Sequence, residues 1–155
     1  MRTLIFLSLL TSVALPVRAQ QPQDPVLYAS PADVAAAAAR SKAATSLSAQ
    51  VVVALPPLRV AVEYRGKPTP ASIHEKNNEL ISIVSGSGIL IMGGTLNDEK
   101  RRDATNLTGT GISGGRSYTL AAGGYVFIPA GMPHYFAGID KEGLVITTIY
   151  IPAAQ

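Results

Sequence analysis

The chain has 155 residues, 47% apolar and 15% charged, with a formal net charge of +3 and no cysteine. That length suits one domain, and the composition excludes disorder of the whole chain. The lack of cysteine excludes disulfides, thiolate sites and a lipid-modified N-terminus.

Residues 1–19 read as a signal peptide. Arg2 is followed by an apolar run from Leu4 to Leu15, with Val17 and Ala19 placed three and one before a cut. The run is shorter than the roughly 20 residues a membrane helix needs. The expected mature chain begins at Gln20, is periplasmic or secreted, and keeps no membrane attachment. Arg2 and Arg18 leave with the signal, so eleven basic side chains face ten acidic ones and the net charge falls to +1. Scattered, nearly balanced charge gives no electrostatic basis for nucleic-acid binding.

Residues 20–50 are expected as an N-terminal extension. Pro22 and Pro25 keep its start extended. Ser30, Pro31 and Asp33 are a cap, a first-turn proline and a first-turn acid, so a helix should start there and run through the alanines. Val34 is the only large apolar residue between Ser30 and Leu47. The helix should therefore lie outside the domain or on a partner subunit, and the segment suits exchange between the copies of a homodimer.

Residues 51–155 have β texture. Leu58–Arg65 alternates, with Leu58, Val60, Val62 and Tyr64 expected inward and Arg59, Glu63 and Arg65 outward. ELISIVSG and GILIMGG read as two strands around an SGSG turn, and Lys100–Asp103 reads as a solvated loop. NLTGTGISGG suits tight turns or one short strand at Gly111–Ser113, before the strands YVFIP and LVITTIYI. Short strands with frequent turn signals imply a sandwich or barrel, and no long amphipathic helix follows residue 50 to build a parallel sheet.

The chain has two histidines. His134 closes the pattern Gly123, Pro129, Gly131, His134; His74 lies in Gly66, Ser72-Ile73-His74, Glu79, Gly86. Both spacings resemble the two sequence motifs of the cupin family. The resemblance covers Gly66 to about Gly138. Two positions depart from the family pattern: Ser72 stands where the first motif has a histidine, and Gly138 where the second ends in asparagine. The longer text also looks like a group of small bacterial cupin-domain proteins sharing the Ser-x-His-Glu variant.

The resemblance implies an all-β cupin fold, a double-stranded β-helix or jelly-roll barrel, here with a short N-terminal α-helix. It also implies a divalent metal ion on His74, Glu79 and His134. The residues agree with this. Ser72 and His74 share a strand face, and Ile81 and Ile83 continue the inward face of Glu79. Pro129 and Pro133 fix the chain around the bend before His134, and Gly131 permits the turn. Two imidazoles and a carboxylate accept Fe(II), Mn(II), Zn(II) or Ni(II) alike. Glu75 neighbours His74 and so faces away. Ile81, Ile83, Phe127 and Phe136 are expected in the core, with Tyr64 and Tyr135 the tyrosines able to donate to a ligand.

No rival constellation appears. Gly109, Gly111 and Gly114 precede no helix, and there is no Gly-x-Ser-x-Gly elbow. Three function classes stay open: a metal-dependent enzyme (oxygenase, isomerase, epimerase or lyase) on a small organic substrate, a non-catalytic module binding a small molecule or metal, and a metal-free structural barrel.

Overall fold

A computed structural model describes residues 25–44 and 46–154. The expected signal peptide lies outside them. Helix α1 spans Pro31–Ala43, and the strands are β1 (Gln50–Leu55), β2 (Leu58–Arg65), β3 (Ala71–His74), β4 (Asn77–Met92), β5 (Thr95–Asn97), β6 (Lys100–Asp103), β7 (Asn106–Gly109), β8 (Gly111–Ser113), β9 (Arg116–Ala121), β10 (Tyr125–Ile128) and β11 (His134–Pro152). All named pairings are antiparallel. One sheet runs β1-β2-β11-β3-β7-β6, with β4 pairing β9, β10 and β11; β5 and β8 form a second, two-stranded sheet.

The helix begins as its cap residues dictate. Asp33 N–H donates to Ser30 Oγ at 3.2 Å, and Ser30 N–H donates back to the Asp33 carboxylate at 2.8 Å. α1 packs on β1 and β2, with Ala37 and Ser41 buried. Ser41 Oγ accepts from Tyr64 N–H at 2.8 Å and donates to the Ser48 carbonyl. The small apolar payload of the helix is thus matched by a specific polar tie.

β2 reverses its expected facing. The period of two holds, but Glu63 and Arg65 are buried and line the interior cavity, while Tyr64 faces Lys42 of α1. By alternation Val60 and Val62 lie on the Tyr64 side, under the helix. Both faces of β2 are covered, so alternation alone did not fix which one turned inward.

SGSG is no turn. β4 runs unbroken through it, and β11 pairs along its length with register shifts. Gly86 has φ +81°, and a Cβ there would collide with the Gly143 carbonyl. Glycine here lets two long strands bend past each other at contact distance. Lys100–Asp103 is a strand, not a loop, although every residue in it is exposed as a solvated segment should be. NLTGTGIS forms two strands, β7 and β8.

The main core gathers Ile81, Ile83, Leu90, Leu120, Ile128, Phe136, Leu144 and Ile146. A smaller cluster joins Ala71, Ile73 and Leu96. Phe127, expected in the core, is 52% exposed, because Ile128 and Val126 take the inward positions of β10.

Candidate metal centre

Three strands deliver the three expected ligands. His74 ends β3, Glu79 is the third residue of β4, and His134 opens β11. Pairing fixes their approach. His134 stands opposite Ser72, and Glu79 stands opposite Tyr150. Cross-strand partners share a face, so β3, β4 and β11 turn these side chains into one space. The Pro129–Pro133 bend is anchored to the site, since Gly131, at φ +78°, donates its N–H to the His74 carbonyl at 2.9 Å.

One ligand atom from each of His74, Glu79 and His134 falls within 4.8 Å of the others. Glu79 Oε2 lies 3.4 Å from His134 Nε2 and 3.8 Å from His74 Nε2. The opposite ring nitrogens have other partners. His134 Nδ1 lies 3.2 Å from the Met132 carbonyl, and His74 Nδ1 meets Asn106 Oδ1. A carbonyl oxygen only accepts. Asn106 is oriented by its own amide nitrogen, which donates to Asp103 Oδ1 at 2.7 Å. Both rings therefore carry their proton on Nδ1, and both Nε2 lone pairs face Glu79.

Glu79 is 2% exposed, and its Oε2 has no hydrogen-bond partner. Three lone-pair-bearing atoms converge with no donor on Glu79 Oε2, the Tyr150 hydroxyl being the donor group beside the carboxyl. A cation satisfies such a set, so these residues fit a divalent metal. Burial is the main cause of each pKa shift here. It raises Glu79 to about 7, opposed by the nearby Arg65 charge. It lowers His134 to about 4, and it lowers His74 against the Asn106 hydrogen bond. It also pushes Tyr150 well above the usual phenol range, with the Glu79 charge adding to it.

The other expected positions sort clearly. Ser72 lines the same cavity as His74, Glu79 and His134. Glu75 points away and pairs with Arg101 at 2.7 Å on the surface. Tyr64 and Tyr135 are not among the residues lining the cavity; Tyr150 is, with its ring 5.0 Å from that of His74. Sequence reasoning also missed Glu63 and Arg65, which form a buried ion pair at 2.8 Å. Arg65 further donates to Thr69 Oγ1 and lies 4.0 Å over the Phe136 ring. The available signal was the spacing of Glu63 and Arg65, two apart on one strand face. It was read as solvent-facing because the neighbouring face is apolar.

The cavity holding these groups measures about 310 Å³. A second space of about 430 Å³ adjoins it and shares His74, Arg102 and Tyr150 with it.

No protein-family model and no curated protein matches the sequence. Solved structures do match the fold. Hydroquinone 1,2-dioxygenase PnpCD, in complex with Cd2+ and 4-hydroxybenzonitrile, is similar at 14% identity over 74% of this chain and 70% of its own, with a TM-score of 0.55. A protein from Bacillus halodurans is similar at 17% identity over 76% of this chain and 78% of its own, TM-score 0.52. A cupin-2 domain protein from Shewanella frigidimarina is 19% identical over 74% of this chain and 89% of its own, TM-score 0.49. The fold is a cupin fold. At these identities the likeness establishes the architecture alone. The barrel gathers its polar cluster where β3, β4 and β11 meet, and Ser72 lines the same cavity with a hydroxyl.

Proposed function

We propose that this cupin binds one divalent metal ion through His74 Nε2, Glu79 and His134 Nε2, and uses the site on a small organic molecule. The observation that carries the reading is the convergence of three buried acceptors, with Glu79 Oε2 lacking any donor. A bound metal would supply Lewis acidity. The chain's own residues do the rest. Asn106 and the Met132 carbonyl hold the imidazole protons on Nδ1. Tyr150 bears a hydroxyl beside Glu79, and Phe136 and Arg65 wall the cavity. The cavity volume suits a small molecule. The similar dioxygenase was crystallised with a divalent ion and a small aromatic compound, which is compatible with this reading and does not choose the reaction. The chain is proposed to act after export, in the periplasm or outside the cell.

The test is metal analysis of protein purified without a histidine tag after growth in metal-supplemented medium. The expected result is about one divalent ion per chain in the wild type and little in His74→Ala or His134→Ala. A wild type as metal-free as both variants would overturn the proposal.

A further inference from the structure

The walls of the approach to this site carry a charge pattern that the ligand set does not use. The outer cavity contains Arg59 from β2 and Arg102 from β6, together with His74 and Tyr150, and no acidic residue. Arg59 makes no ion pair or side-chain hydrogen bond among the described residues. Arg102 uses only Nε, at 3.3 Å from Asp103, which leaves its two terminal nitrogens without a partner there. The inner cavity adds Arg65, whose charge is balanced by Glu63, and Glu79. A divalent ion on Glu79 would leave the combined space positive even after every acid in it is counted. A space with excess positive charge and two guanidinium forks in its lining selects against cations and neutral molecules.

We infer that the ligand is a small organic carboxylate, drawn in and held at its acid end by Arg59 and Arg102, with its remainder directed toward His74 and Tyr150. This rests on the metal-site reading. It adds a substrate class and two specificity residues outside the ligand set. Arginine suits the task because its planar fork pairs bidentately with a carboxylate. The inner volume of about 310 Å³ limits the ligand to a compact one.

The experiment uses the Zn(II)-loaded full chain and paired probes that differ only in charge: benzoate with benzamide, and succinate with succinamide. Inorganic phosphate serves as a further probe. Binding is read by calorimetry, and zinc content is measured separately on every sample. The carboxylates should bind more tightly than their amides and lose affinity with added salt. Arg59→Gln and Arg102→Gln should each weaken carboxylate binding by about 2- to 5-fold, the range for partly exposed ion pairs. The double variant should lose about 10-fold, with zinc content and amide binding unchanged. Carboxylate affinity unaltered in the double variant would overturn the inference, even where the carboxylates reach the metal directly. So would amides that bind as well as acids, or phosphate that outbinds every carboxylate. A wild type that takes up no zinc fails the metal proposal instead, so the two failures are told apart.

Discussion

Lowering the pH should release the metal through Glu79 and not through the histidines. Free imidazoles titrate near 6.5 and free carboxyls near 4.5, which suggests the reverse. Burial inverts the order in this site, with Glu79 raised to about 7 and His134 lowered to about 4. For Glu79 the difference from 4.5 corresponds to about 3 kcal/mol of preference for the protonated form. A metal must displace that proton. Well below pH 7, binding should release close to one proton per ion and affinity should fall about tenfold per pH unit; between pH 7, where Glu79 is half protonated, and pH 5.5 the fall is about 15-fold. His134, lowered to about 4, stays neutral over that range, and burial moves His74 in the same direction. The assay is zinc titration against a competing chelator across pH 5.5–8.5, with proton release counted by calorimetry in buffers of different ionisation enthalpy. Glu79→Gln should bind more weakly at every pH and lose the slope. A wild-type slope of zero or of two, or an unchanged slope in Glu79→Gln, would refute the reasoning. Stability of the metal-free protein is a poorer readout, because two contributions oppose. Glu79, with its raised pKa, favours the fold below 4.5 and loses that contribution as pH rises through 7. His134, with its lowered pKa, favours the fold above 6.5 and loses that contribution as pH falls through 4. Between 4.5 and 6.5 they cancel.

Asn106→Ala should weaken zinc binding about 10- to 100-fold by freeing the His74 ring, with little change in melting temperature; chelator competition and thermal unfolding check the two halves. Glu63→Ala should destabilise the protein by about 3–5 kcal/mol in urea unfolding, because it strands the buried Arg65 charge. Ser72→His should tighten zinc binding, since position 72 faces His134 across the strands and lines the cavity. Intact-mass analysis of protein from the envelope fraction should give a chain starting at Gln20, and retention of Met1 in the cytosol would count against export.

The convergence of His74, Glu79 and His134 was legible because it depends on spacing and local turns. His74 and Glu79 flank one short connection, and Gly131 with its neighbouring prolines sets the bend before His134. The helix start was legible for the same reason, since Ser30 and Asp33 bond only to each other's turn. What failed was whatever depends on a distant neighbour. Gly86 looked like a turn because its function is to pass Gly143, 57 residues on. Glu63 and Arg65 looked solvated because the layer that covers the opposite face of their strand comes from residues 31–43. Tyr150 carried no local mark at all, and only the β4–β11 register sets it against Glu79.

The bond from Tyr64 N–H to Ser41 Oγ joins the N-terminal helix to the barrel strand β2. Tyr64 lies between Glu63 and Arg65, so the helix grips the backbone at the point from which both cavity charges project. The helix begins only about a dozen residues after the expected processing site. A trimming event that ran on past Ser41 would remove more than a tail. It would uncover the outer side of β2 and loosen the segment that aims an ion pair into the barrel. N-terminal trimming and the electrostatics of the interior would therefore be one problem for this chain, and its tolerance to clipping should end abruptly at the helix.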